Sequence, residues 1–180
     1  MRTVRYLKAE QLPEKTVWNL EIPKNHVQNL CDKYSLTRID TNSNEEVELQ
    51  KRLLSFGGCE VLMGLGQPDT ERCLSEGEYW YGKSAQCVNM KDPKPFFSAI
   101  DFYKWEPQRY QLIAGYAMDE FGVWIPHAWT LRGLKTKEDR VTEVLRPMVG
   151  YFGYILLPEE VEKYRKQILI NKRNGAGVNA

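Results

Sequence analysis

Apolar and polar positions follow two different periods along this chain. In the second half, alternation and short apolar runs read as strands. Tyr110 to Met118 and Gly122 to Leu131 are two such runs, joined by Asp119-Glu120-Phe121-Gly122, which suits a turn with glycine in the left-handed region. Arg140 to Leu145 and Tyr151 to Leu157 add two more. The first half is more helical. Ser43 and Glu46 form a capping box before Val47, Leu49, Leu53, Leu54 and Phe56, and Gly57-Gly58 closes the run, which predicts a helix over 44–56. Val17 to Ile22 alternates up to Pro23 and predicts a short strand. Lys83 to Met90 reads as a short helical stretch stopped by Asp92-Pro93, and Pro95 suits the first position of a helix from Phe96 to about Trp105. Pro158-Glu159-Glu160, with Lys163, Arg165 and Lys166 further on, opens a final helix whose charges match its dipole. Helices, then a meander, then a closing helix predict an α+β class, with N-terminal helices packed on a C-terminal antiparallel sheet.

The length of 180 residues fits one domain, residues 1–75 serving as an accessory region and 170–180 as a flexible tail. Ten Tyr and five Trp are more than a minimal core needs, so some of them are expected at a cleft or contact surface. The net charge of +1 gives no drive toward nucleic acid or an anionic membrane. The one uneven stretch is basic, with Lys163, Arg165, Lys166, Lys172 and Arg173 near the C-terminus, and it reads as a solvated helix end. Met1 to Glu14 lacks the apolar core of a signal peptide, and no run approaches the ~18 apolar residues of a membrane span, so a cytoplasmic, reducing location is expected. Cys31, Cys59, Cys73 and Cys87 form no C-x-x-C pair and have no histidine at ligand spacing, so neither a metal site nor a disulfide framework is expected, and no cofactor is implied.

Period-two geometry singles out His127. In the strand from Val123 to Leu131 one face carries Val123, Ile125, His127, Trp129 and Leu131, and His127 is its lone polar group. Val141, Glu143 and Leu145 share a face of the next run. A hairpin centred near Lys135 pairs 131 with 139, 129 with 141 and 127 with 143, with opposed Cβ atoms about 4.5–5.5 Å apart. A buried imidazole and a buried carboxylate then partner each other. A two-residue turn at Glu120-Phe121 sets Ala114 opposite His127, and so small a residue leaves room for Cys87 at the start of its helix. A thiol at a helix N-terminus beside an imidazole gains thiolate character. The roles that follow are Cys87 as nucleophile, His127 as general base and acid, and Glu143, with Asp139 as the alternative acid, orienting His127. The Cys87 N–H and the Gln86 side chain are candidates for oxyanion stabilisation. Tyr116 and Trp129 are candidate cleft-lining aromatics. The plainer alternative is a hydrogen-bonded core histidine, an inert thiol and core aromatics.

The series Gln86-Cys87, Gly115-Tyr116-Ala117, His127-Ala128-Trp129, Val141-x-Glu143 and Tyr151-Phe152-Gly153 resembles a group of small phage and bacterial proteins with the same motifs in the same order. The arrangement is similar to the papain-like and transglutaminase-like core, in which a cysteine begins a helix and a histidine and an acid sit on successive strands. The resemblance covers residues from about 79 to 157. It implies a Cys–His–acid site on Cys87, His127 and Glu143, and leaves the substrate open. Two functions are therefore expected in competition. One is a cysteine-dependent hydrolase or acyl/amide transferase acting through a thioester at Cys87 on a protein or small amide or ester. The other is a non-catalytic accessory protein of phage or bacterial type that binds a host protein or nucleotide on the same scaffold.

Overall fold

Strands and helices interleave from the start of the chain rather than separating into an early helical half and a late sheet. The computed structural model describes residues 6–7, 22–39, 43–64, 66–88, 90, 94, 96–133 and 140–176. In chain order these form β1 (Tyr6–Leu7), α1 (His26–Tyr34), β2 (Leu36–Arg38), α2 (Asn44–Ser55), β3 (Glu60–Gly64), α3 (Thr70–Glu76) and β4 (Glu78–Tyr81). After a 3₁₀ turn at Gly82–Ser84 come β5 (Gln86–Val88), α4 (Phe97–Trp105), β6 (Tyr110–Met118), β7 (Val123–Arg132), β8 (Arg140–Glu143) and β9 (Gly150–Leu156). A second 3₁₀ turn at Pro158–Glu160 leads into α5 (Val161–Ala176), which occupies much of the stretch expected to be a flexible tail. The strand expected at 17–22 lies outside the described residues but for Ile22.

The α+β class stands, while the sheet is mixed rather than antiparallel. Its strands run β1-β5-β8-β7-β6-β9-β4, with β3 joined to β7 and β2 to β3. β5 pairs β8 in parallel and β3 pairs β7 in parallel. Strands β1 to β4, all before residue 82, enter this sheet.

Local signals account for the elements that agree with expectation. Ser43 Oγ accepts the N–H of Glu46 at 3.4 Å at the start of α2, and Leu49 and Leu53 on its inner face are fully buried. Around the central hairpin, Asp119 Oδ1 accepts the N–H groups of Phe121 and Val123 at 2.9 Å, and Gly122 takes φ 81°. Both faces of β7 are covered, as its nearly unbroken apolar sequence requires. Trp124 and Ala128 pack with residues of α2, α4 and α5, while Ile125, Trp129 and Leu131 pack with Leu30 and Leu36 on the other side.

Two registers differ from expectation, by one and by two residues. The hairpin turn spans Asp119 to Gly122, so Gly115 rather than Ala114 lies opposite His127, and Ala114 faces the other core. Gly115 is also the partner of Gly153 on β9. A Cβ at Gly153 would come within 2.9 Å of the Trp129 ring and 2.4 Å of the Ala114 carbonyl. These glycines let the indole lie across β6 and β9. Between β7 and β8, Leu131 pairs with Val141 rather than with Asp139. A two-residue slip preserves the faces, because the side-chain period is two.

β7 has a forked outer edge. β6 takes one edge along its whole length, so β3 (at Val123 and Trp124) and β8 (at Thr130 to Arg132) share the other. β3 then turns away to pair with β2. Among the described residues no strand pairs with 125–129 on this outer edge. Asp119 donates to the Val123 carbonyl across the hairpin, so even-numbered residues of β7 turn their backbone groups outward. Pro126, which has no N–H, therefore falls where no ladder needs one.

Candidate functional site

His127 sits in the middle of that unpaired stretch, and its ring is fixed from behind. Nε2 donates to Glu143 Oε2 at 2.7 Å, with the histidine 1% and the glutamate 0% exposed. Tyr151 donates its hydroxyl to the same oxygen at 3.3 Å and accepts the N–H of Met148 at 3.1 Å. Glu143 Oε1 accepts the N–H groups of Val144 and Leu145 at 2.8 and 2.9 Å. Four donors thus converge on one buried carboxylate, which is what a charge in the interior needs. The contact is diagonal across β7 and β8, not directly opposed, as the shifted register requires. With Nε2–H held by the glutamate, the neutral imidazole carries its lone pair on Nδ1. The Trp129 ring lies nearly parallel to the imidazole at 6.2 Å.

Cys87 departs from expectation in three respects. It does not begin a helix. Ala85 is already extended, and Cys87 is in β5 with Leu7 as its partner on one side and Glu143 on the other. A strand hydrogen-bonded on both edges has no free helix N-terminus to stabilise a thiolate. Next, its thiol is pushed up to about 12, first by burial and then by the negative charge of Glu143. Finally, the sheet order β5-β8-β7 sets the acid between the thiol's strand and the imidazole's strand. A Cys–His–acid relay needs the imidazole between the other two. Gln86 pairs with Thr142, and strand alternation turns it to the face opposite Cys87, away from an oxyanion position beside the thiol.

The two aromatics expected in a cleft are core residues. Tyr116 and Trp129 are both fully buried. The Tyr116 hydroxyl and the Trp129 indole N–H have no hydrogen-bond partner among the described residues. Burial raises the Tyr116 hydroxyl well above its ordinary pKa.

A pocket of about 480 Å³ opens at the fork of the sheet, in front of His127. Ile125 and Pro126 of β7 form its floor with His127, and α1 forms a wall with His26 and Leu30. Phe96, ahead of α4, closes one side at φ 63° and ψ −56°, a conformation that a bulky residue keeps only under packing constraint. The histidine that the sequence pattern left unassigned, His26, repeats the arrangement of His127. Its Nε2 donates to Asp119 Oδ2 at 2.7 Å, and Asp119 is fully buried. Both histidines of the chain therefore line one pocket, each backed by a buried carboxylate. His26 lies outside any periodic run, and the available clue was that the chain has only two histidines.

The four cysteines are free thiols. Among the described residues no helix is long and apolar enough to cross a membrane, and no group of three or more His, Cys, Asp or Glu is placed to hold a metal ion. Comparison with protein-family models, curated proteins and solved structures finds no match to this chain.

Proposed function

We propose that this protein binds a small organic ligand in the pocket at the fork of β7, with His127 as the polar group that orients it. The observation that carries this reading is the position of His127. It lines the pocket, it is held on one side by Glu143, and among the described residues no strand pairs with the edge around it. Pockets of a few hundred Å³ with apolar walls and a few fixed polar groups are the usual form of small-molecule sites. An imidazole with its tautomer set by a carboxylate accepts a ligand proton, or gives one once charged, so acid–base work on the ligand is compatible with the same geometry.

A second reading, the cysteine hydrolase or acyl transferase, draws support from one observation. Cys87 is the strand partner of the glutamate that holds His127, so all three residues belong to three adjacent strands. Against it stand the raised thiol and the intervening acid. Thermal unfolding across a panel of small molecules, run on the wild type, Cys87→Ala and Asn29→Trp, separates the two readings. Asn29 is exposed on α1 at the pocket, so tryptophan there obstructs it without entering the core. Ligands that raise the Tm of the wild type and Cys87→Ala alike, and leave Asn29→Trp unchanged, are the expected result. Turnover of amides or esters by the wild type that disappears in Cys87→Ala would replace it with the hydrolase reading.

A further inference from the structure

We infer that the ligand of this pocket is a small organic anion: an apolar body bearing one carboxylate, sulfonate or phosphate group. This rests on the ligand-pocket reading above and adds the chemical class. The charged side chains in the pocket wall are both cationic, Lys33 and Arg146, beside the imidazoles of His26 and His127. Among the described residues no carboxylate lines it. The acids that match these groups lie behind them. Glu143 and Asp119 are fully buried at the backs of the two histidines. Glu120 meets the Arg146 guanidinium from the exposed side at 2.8 Å. A chain of almost neutral net charge has thus sorted its charges locally, with Lys33 and Arg146 at the cavity and the acids Glu143, Asp119 and Glu120 outside its lining.

Apart from Asn29, the remaining lining is apolar or aromatic, including Leu30, Tyr34, Leu36, Phe96, Ile125 and Met148. A hydrophilic anion alone leaves those walls without a partner, and an uncharged hydrocarbon leaves the positive charge of Lys33 and the Arg146 N–H groups that Glu120 does not take unmatched. An arginine with five N–H donors on a fixed planar fork binds a carboxylate, sulfonate or phosphate without giving up every bond to Glu120. Lys33, whose ammonium lies 5.0 Å over the Tyr34 ring, supplies a second, mobile positive charge on the same helix as His26.

The test uses two fluorescent dyes with the same kind of aromatic body, anilinonaphthalene sulfonate and uncharged phenylnaphthylamine, together with inorganic phosphate as competitor. Saturable binding of the sulfonate dye to the folded protein is expected, lost in Asn29→Trp. In the double variant Lys33→Gln, Arg146→Gln its affinity should fall about tenfold or more, while that of the uncharged dye changes less than about twofold. Phosphate should displace the sulfonate dye only weakly. Equal binding of both dyes, indifferent to Lys33 and Arg146 but blocked by Asn29→Trp, would overturn the anionic class and leave the pocket reading intact. Displacement by phosphate as effective as by the organic anion would overturn the apolar part. Absence of saturable binding by either dye, or binding that Asn29→Trp leaves unchanged, would remove the pocket reading as well.

Discussion

The two histidine–carboxylate pairs at the pocket share one hydrogen-bond length and differ in what surrounds them. His127 and Glu143 both belong to the sheet, and the glutamate takes two backbone N–H groups and the Tyr151 hydroxyl besides the imidazole. His26 begins α1, while Asp119 closes the β6–β7 turn, so this pair ties a helix to a hairpin. Its histidine side chain is 15% exposed, against 1% for His127, and Arg146 stands 4.0 Å from the same Asp119 oxygen. The inner pair is part of the framework. The outer pair is a fastening at the pocket rim, where a cation and water can replace a lost partner. Each carboxylate also takes two backbone N–H groups, so the different energetic weight comes from the buried Tyr151 hydroxyl on Glu143 and from the burial of His127 against the part-exposed His26.

The largest effect expected is from Glu143→Ala. It strands the imidazole N–H, a tyrosine hydroxyl and two backbone N–H groups in a dry interior. Urea unfolding should show a loss of about 3–5 kcal/mol, a large fraction of an ordinary domain's stability. Glu143→Gln keeps an acceptor but sets an amide N–H against other donors, and should fall between that and the wild type. His26→Ala removes one bond at a partly solvated rim, with an expected cost of about 1–2 kcal/mol. Equal losses for the inner and outer variants would erase the distinction between framework and fastening.

The next effect tests what supports the inner pair. The Trp129 ring lies beside the His127 ring and over Gly115 and Gly153. Gly153→Ala brings a methyl against the Ala114 carbonyl and the indole at the same time. Overpacking of that kind costs about 1–3 kcal/mol, and it should appear as lower stability with a shift in tryptophan emission. Gly133→Ala is the control. Among the described residues a Cβ there meets nothing within 4 Å, and its effect should stay within about 0.5 kcal/mol. Matching losses at the two glycines would mean that Trp129 is not confined by the crossing of β6 and β9.

Period explains which of these features were legible in the sequence. The face shared by Val123, Ile125, His127, Trp129 and Leu131 follows from alternation alone, so the pairing of His127 with Glu143 survived a hairpin register displaced by two residues. The helix at Asn44–Ser55 and the helix after Pro158 were legible because their caps are local. Gln86-Cys87-Val88 was not. It is short, and its strand character comes from pairing with Tyr6-Leu7 and Thr142-Glu143, partners remote in sequence that a window around Cys87 cannot reveal. The parallel pairing of β3 with β7 has the same origin. The fork that makes the pocket depends on it, and Pro126 inside an apolar strand was the one local sign of an unpaired edge.

The smallest effect concerns the thiol beside each pair. Cys87 lies alongside Glu143, and Cys59 lies at the hairpin that carries Asp119, donating toward the Gly122 carbonyl at 3.5 Å. Both thiols are raised chiefly by burial, but Cys59 is on the surface and Cys87 is 4% exposed. In native protein at mildly alkaline pH, alkylation followed by peptide mapping should modify Cys59 and spare Cys87. Cys73, also pushed up to about 12 by burial, should be spared with it. The folded state holds the Cys87 proton up to about 12, whereas the ordinary thiol value is 9.0. Between those values the unfolded chain binds fewer protons, so this thiol's contribution to stability is complete below pH 9 and is lost as pH rises toward 12. In Glu143→Gln the second cause of the shift is gone and the first remains. Labelling of Cys87 should then begin at a lower pH than in the wild type but still above that of Cys59, with Cys73 unmoved. A Cys87 that labels like Cys59 in the wild type at neutral pH would show a thiolate that burial and the glutamate do not suppress, and would return the thiol to the centre of the chemistry.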